Sequence, residues 1–186
     1  MADKLTFLGF AGSLRDKSYN RALLRVAEGL LPEGVKLETF DLSSIPLYNA
    51  DLEEQGWPEP VRLFRERIAA ADALLIATPE YNWSIPGVLK NAIDWASRPP
   101  ESPLNDKPAA VMGASTGPFG TTRSQLHLRQ VFAYTNTLLL SKPFVLIPKA
   151  QDKFDSDGNL TDEATREQVR SLLAALADWT RRLQRD

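Results

Sequence analysis

With 186 residues, 43% of them apolar and 25% charged, the chain is long enough for one domain to bury roughly 70% of the surface it exposes when unfolded, which sets it apart from the disordered, collagen-like and membrane classes. Its 22 Lys plus Arg against 24 Asp plus Glu leave a net charge of −2, so no general attraction to nucleic acid or acidic membrane is expected. Cysteine is absent and histidine occurs once, which removes disulfides, thiolate nucleophiles and histidine metal clusters; no metal site and a cytoplasmic setting are expected.

The start, Met1-Ala2-Asp3-Lys4, lacks an apolar core followed by a cleavage site, and no apolar run approaches the about eighteen residues of a membrane span. Leu5 to Phe10 reads as a short buried strand. The helix after it carries Leu23, Val26, Ala27 and Leu30 on one face and stops at Pro32-Glu33-Gly34. Val35 to Phe40 alternates, as a strand at a sheet edge does. Asp41 to Glu59 reads as one long loop before a helix carrying Val61, Phe64, Ile68 and Ala71. Ala73 to Thr78, apolar almost throughout, reads as a central parallel strand ended by Pro79. Leu89, Ala92, Ile93 and Ala96 mark the third helix, which Pro99-Pro100 closes. Ala109 to Ala114 is the fourth strand, and Leu128, Val131, Phe132 and Thr135 mark the fourth helix. A fifth strand around Phe144 to Ile147 and a last helix with Val169, Leu172, Leu173, Leu176 and Leu183 complete the chain. Five strands separated by helices predict a doubly wound α/β fold with a five-stranded parallel sheet, formed as a single domain over residues 1–186. Ligands of such sheets lie beyond the carboxyl ends of the strands, where the winding reverses. Three loops, beginning near Ala11, Pro79 and Ser115, fall at that edge.

The first loop, Gly12-Ser13-Leu14-Arg15-Asp16-Lys17-Ser18-Tyr19-Asn20, runs from a strand into a helix. Amides at a helix start lack intrahelical partners and lie at the positive end of the helix dipole, so they form an anion site. With Ser18 as N-cap, the amides of Tyr19, Asn20 and Arg21 are expected to be free. Ser13 and Ser18 add hydroxyls and Arg15 a charged fork, an inventory that suits one phosphate group. The loop has neither the Walker pattern nor Gly-x-Gly-x-x-Gly, which disfavours a nucleoside triphosphate. The plainer reading is that Ser18 caps the helix and Arg15 is a solvated loop residue.

The second loop, Pro79-Glu80-Tyr81-Asn82-Trp83-Ser84-Ile85-Pro86-Gly87, has prolines near both ends. They fix the backbone course and leave its N–H groups for other partners, a rigid polar edge suited to a flat heteroaromatic ring. Tyr81 or Trp83 would pack near such a ring, and Asn82 or Ser84 would add side-chain bonds. The plainer alternative is a stiff turn with Pro86 in the first helical turn. The third loop, Ser115 to Arg123, contains Gly117 and Gly120, which allow close backbone approach before another helix start with unpaired amides. A tight turn with no ligand is the competing reading.

Three pieces, Gly-Ser-Leu-Arg-x-x-Ser-x-Asn at 12–20, Pro-Glu-Tyr-Asn-x-Ser-x-Pro-Gly-x-Leu-Lys-Asn-Ala-Ile-Asp-Trp at 79–95 and Gly-x-x-Arg-x-Gln-x-His-Leu-Arg-Gln at 120–130, resemble the NADPH-dependent FMN reductase family, with its chromate and quinone reductases and its azoreductase relatives. The resemblance implies a flavodoxin-like fold of strand order 2-1-3-4-5 and FMN held without a covalent bond. It also implies hydride transfer from NADPH or NADH through the flavin to a small-molecule acceptor such as a quinone, azo compound, chromate or free flavin. On that resemblance Ser13, Arg15, Ser18, Tyr19 and Asn20 would hold the phosphate, Pro79, Glu80, Tyr81, Asn82 and Ser84 would line the isoalloxazine, and Ser115, Thr116, Gly117 and Gly120 would close its pyrimidine end. It further implies a homodimer or homotetramer.

No side chain is nominated as catalytic, because in flavin enzymes the cofactor carries the chemistry; Glu80 is expected to be a solvated loop glutamate. His127 is expected to make a helix or subunit contact. The stretch Asp152 to Asn159 fails as a calcium loop, since aligning Gly158 puts Lys153 first and Ala164 last among the ligand positions. The competing class is an FMN electron carrier without nicotinamide turnover. A flavin-free scaffold is the third.

Overall fold

A computed structural model describes residues 4–184. The first three and last two residues of the expected 1–186 domain, and with them most of the start inspected for an export signal, lie outside the described residues. In chain order the elements are β1 (Leu5–Ala11), α1 (Tyr19–Glu28), β2 (Val35–Phe40), α2 (Ala50–Glu54), α3 (Glu59–Ala70), β3 (Ala73–Ala77), α4 (Gly87–Ala96), β4 (Pro108–Ala114), α5 (Thr122–Tyr134), β5 (Leu138–Leu139), β6 (Val145–Ile147) and α6 (Glu163–Leu183).

All strand pairings in the sheet are parallel, in the order β2-β1-β3-β4-β5, the flavodoxin-like order expected above. The period-two alternation of the strands divides the core into two layers. Leu5 and Phe7 of β1, Leu75 of β3 and Met112 of β4 face α1 and α6, where they meet Leu23, Ala27, Leu172 and Leu176. Leu8, Phe10, Leu74, Ile76 and Val111 face the other way onto Val61, Phe64, Leu89, Ile93, Leu128 and Phe132 of α3, α4 and α5. β3 and β4 are buried along their whole length, as central parallel strands must be, whereas β2 at the edge is only half-buried. None of the helices among the described residues is long and apolar enough to cross a membrane.

Two expectations are corrected. The stretch from Asp41 to Glu59 is not one loop: Leu42–Ser44 forms a 3-10 turn capped by Asp41, and Asn49 caps α2. Side-chain caps of this kind stabilise very short helices that periodicity cannot reveal. The fifth strand is split. β5 pairs with Pro108 and Ala109 at the start of β4, and β6 pairs with Met112 to Ala114 at its end, so two short pieces share one position in the sheet. Phe144 falls between them and is half-exposed.

β1 is flanked by β2 and β3, so the winding reverses between β1 and β3. The connections leaving β1, β3 and β4 open at the carboxyl edge beside that reversal, the position at which such sheets bind ligands.

Candidate functional site

The three loops are tied to one another by specific bonds. Between the first and second, the Tyr81 hydroxyl approaches Ser13 Oγ at 3.5 Å. From the first to the end of β4, Asn20 Nδ2 donates to the Ala114 carbonyl at 2.9 Å and Ala114 N–H donates to Asn20 Oδ1 at 2.9 Å. The second and third are joined through Glu80, whose carboxylate accepts from the amides of Arg123 (2.8 Å) and Ser124 (3.1 Å) and from the Arg123 guanidinium (3.2 Å).

In the first loop Ser18 is the N-cap of α1, as the sequence indicates, but its Oγ accepts from the amides of Asn20 (3.2 Å) and Arg21 (3.4 Å). Those two amides are therefore not free. The open donors lie one step earlier: among the described residues the backbone N–H groups of Ser13, Leu14, Arg15, Asp16 and Lys17, and that of Tyr19, have no intramolecular acceptor. Ser13 is buried at 4% exposure and Arg15 is exposed, with no carboxylate paired to it among the described residues. Backbone donors in sequence, two hydroxyls and one cationic fork match the needs of a phosphate dianion. A surface cavity of about 390 Å³ adjoins them, walled by Arg15, Lys17, Ser18, Arg25 and the turn from Asp155 to Gly158. Asp155 accepts from Asp157 N–H, Asn159 N–H and Asn159 Nδ2, which hold its carboxyl below the usual carboxylate range, the Asn159 side chain contributing most.

Two members of the expected phosphate set have other side-chain roles. Asn20 is buried and its amide pins α1 to β4 through both of the bonds above, so its side chain is committed to the scaffold. Tyr19 turns its ring onto Phe154, with centroids 5.2 Å apart, and its N–H has no acceptor among the described residues.

The second loop folds into a hairpin that uses some of the N–H groups expected to be left for other partners. Tyr81 and Ser84 exchange both backbone hydrogen bonds, Tyr81 N–H to Ser84 O (3.1 Å) and Ser84 N–H to Tyr81 O (2.9 Å), around Asn82 (φ 49°) and Trp83 (φ 64°). Two positive φ values between paired residues make a tight hairpin turn of the type usually built on Asn-Gly. A tryptophan held in the left-handed region is costly, of order 1–3 kcal/mol, and such strain concentrates at binding loops. The hairpin consumes the N–H groups of Tyr81 and Ser84, while those of Glu80 and Asn82 have no acceptor among the described residues. Ser84 Oγ lies 3.0 Å from His127 Nδ1, so the single histidine contacts this loop from α5.

The third loop packs onto β6. Ser115 N–H donates to Ile147 O at 3.0 Å and Lys149 N–H to Gly117 O at 3.1 Å. Gly120 has φ +60°, and a Cβ there would sit 3.2 Å from the Leu146 and Ile147 backbone, so the conformation favours glycine and a side chain would also crowd β6. Ser115 Oγ accepts from Gly117 N–H at 3.1 Å, whereas the amides of Thr116 and Gly120 have no acceptor among the described residues. The start of α5 differs from expectation: its Arg123 and Ser124 amides are occupied by Glu80, and Gln125 N–H donates to Thr121 O.

Glu80 is the largest departure from the sequence reading. Its side chain is 9% exposed rather than solvated, and it acts as the cap that α5 lacks. Thr121, at the N-cap position, makes no side-chain cap bond, and the first turn of α5 holds no acidic residue. The lack of an acid in the first turn of α5 is visible in the sequence, but the failure of Thr121 to cap is not, since threonine is a preferred N-cap residue. Arg123 in turn lies 4.4 Å from the Trp83 ring and 4.8 Å from the Phe119 ring, both rings being largely exposed. The expected site residues do not include Thr78, Arg123 or Ser124; Thr78 Oγ1 lies 3.2 Å from Ser124 Oγ and adds a second tie across the same gap.

The family profile described as NADPH-dependent FMN reductase matches residues 5–152. The chain is 55% identical to an NAD(P)H-dependent FMN reductase of Pseudomonas aeruginosa over 184 residues, covering 99% of this chain and 100% of that protein. It is 45% identical to an NADPH:quinone oxidoreductase of Arabidopsis thaliana over 180 residues, covering 94% and 91%. Among solved structures, FerB, a flavoenzyme NAD(P)H:(acceptor) oxidoreductase from Paracoccus denitrificans, superposes with a TM-score of 0.87 at 36% identity, covering 96% of this chain and 98% of that one.

Proposed function

This chain belongs to the NADPH-dependent FMN reductase family, and from that premise we propose that its three carboxyl-edge loops hold one FMN, with the phosphate on the first loop and the ring on the other two. It is an oxidoreductase that uses FMN and NAD(P)H and acts on quinone-type acceptors. The observation that carries the site assignment is the row of backbone donors from Ser13 to Lys17 without intramolecular acceptors, beside Ser13, Ser18 and Arg15, at the winding reversal of the sheet.

When bound, FMN supplies two-electron hydride chemistry that no side chain here provides. The chain's own task is to bind, orient and shield. Arg15 and the amides of residues 13–17 offset phosphate charge, and the Ser18 hydroxyl, accepting with its oxygen, keeps its hydrogen to donate. Pro79, Tyr81 and Ser84 fix the second loop so that the Glu80 and Asn82 amides are available to ring acceptors. Ser115, Thr116, Gly117 and Gly120 form the opposite edge, where the Thr116 and Gly120 amides would stabilise negative charge. No side chain is assigned a proton-transfer role; the Glu80 carboxylate already faces three donors. We propose that the protein works as one domain over residues 1–186, as a homodimer or homotetramer, in the cytoplasm.

Titration of FMN with the purified protein, followed by flavin fluorescence, tests the assignment. Saturable quenching at one FMN per chain supports it, and no quenching removes it. NADPH or NADH oxidation with a benzoquinone, faster than free FMN supports, separates the enzyme from an electron carrier. Light scattering on the eluting protein reads its oligomeric state.

A further inference from the structure

We propose that Glu80 is a positioning residue for the flavin ring: its carboxylate sets the spacing between the second and third loops, between which the ring is to be held. This rests on the flavin reading above and adds a residue role to it. Glu80 lies three residues beyond the end of β3 and reaches the start of α5, where Oε2 accepts from the Arg123 and Ser124 amides and Oε1 from the Arg123 guanidinium. Since Thr121 makes no cap bond and the first turn of α5 holds no acid, this one side chain satisfies a helix start that its own sequence leaves open.

Three features make the contact a brace rather than a surface ion pair. The carboxylate is 9% exposed, so solvent competes weakly for it. Its cationic partner is held by a second set of contacts, the exposed rings of Trp83 from the second loop and Phe119 from the third. Thr78 and Ser124, flanking Glu80 and Arg123 in sequence, are joined hydroxyl to hydroxyl at 3.2 Å. Glu80 thus divides its functions: the side chain spans the two loops, and its own N–H remains without an acceptor among the described residues. Loss of the carboxylate would let two segments that must stand a fixed distance apart drift, and sites of this kind tolerate only small displacements.

The test compares binding of FMN and of riboflavin, which lacks the phosphate, to the wild type and to Glu80→Ala and Glu80→Gln. A positioning role for the ring predicts that Glu80→Ala weakens both flavins by the same factor, about tenfold, leaving their affinity ratio unchanged. The absorption bands of bound flavin should move toward those of free flavin. Gln keeps an oxygen for the amides and loses the ion pair, so Glu80→Gln should weaken both about threefold. A merely structural role would lower the unfolding temperature while leaving both flavin affinities and the absorption bands of the folded fraction at their wild-type values. Wild-type affinity for both flavins in the variants overturns the proposal, as does a loss confined to FMN. If Glu80→Ala does not fold, Glu80→Gln decides by the same criteria. A wild-type protein that binds neither flavin overturns the FMN assignment itself, a result distinct from any difference among the variants.

Discussion

The first loop and the paired second and third loops solve opposite problems. From Ser13 to Lys17 the chain leaves backbone donors open and Arg15 without an ion pair among the described residues, which suits a ligand that brings its own charge. From Pro79 to Ser84 and from Ser115 to Ser124 the chain ties itself together, through the Tyr81–Ser84 hairpin, the Glu80 cap and the Arg123 stack, and leaves open separate amides such as those of Glu80, Asn82, Thr116 and Gly120. A phosphate can be gathered by flexible donors because charge acts over distance, whereas a flat ring with fixed acceptors needs edges that do not move.

The contrast breaks most completely where both regions share a support. Asn20→Ala removes both bonds to Ala114 and leaves a buried N–H and C=O without partners, so unfolding by urea should show a loss of about 3 kcal/mol. Retained stability would mean that water replaces the amide. Within the first loop, Arg15→Ala should weaken FMN by about 1.5 to 3 kcal/mol, the range for a hydrogen bond to a charged group, and leave riboflavin affinity unchanged. Calorimetric titration of both flavins reads this, and equal losses for both would remove Arg15 from the phosphate site.

A control outside the three loops sharpens the comparison. Asp162 caps α6, accepting from Thr165 N–H at 3.1 Å and from Lys153 Nζ at 2.9 Å. Its carboxyl is held below the ordinary aspartate value, chiefly by the Thr165 side chain and then by Lys153. A depressed folded-state value means that this stabilisation is complete above the unfolded aspartate value and is lost as pH falls through the lower folded one. Asp162→Ala should therefore lower stability by about 1 kcal/mol at neutral pH, with the difference shrinking in acid and flavin affinity unaltered. Denaturation curves across the acid range read the sign. The smallest effect belongs to Trp83→Ala, which removes one face of the Arg123 stack at an exposed site and should change stability by about 0.5 to 1 kcal/mol. A much larger change would show that the hairpin, rather than Glu80, holds the two loops together.

Most of the scaffold was legible because its signals are local. Apolar runs such as Ala73 to Ala77 mark central strands, and i, i+3, i+4 spacing marks helices such as the one carrying Leu23 and Ala27. The short α2 and the division of the last strand were not legible, since five- and two-residue elements carry too little periodicity and depend on what they pair with. The positions of the three loops followed from strand order, and the candidate residues within them from the motifs.

What the sequence determined by itself was therefore the layered α/β architecture, the family and the three segments at the carboxyl edge, all properties carried by neighbours along the chain. Only the tertiary structure decided which groups in those segments remain open: Ser18 takes the Asn20 and Arg21 amides, Asn20 is committed to Ala114, and Glu80 turns inward as the cap of α5. The reason is physical. A donor is available only if nothing nearby satisfies it, and the groups that satisfy Arg123 and Ala114 lie 43 and 94 positions away in sequence and meet them only once the sheet has formed.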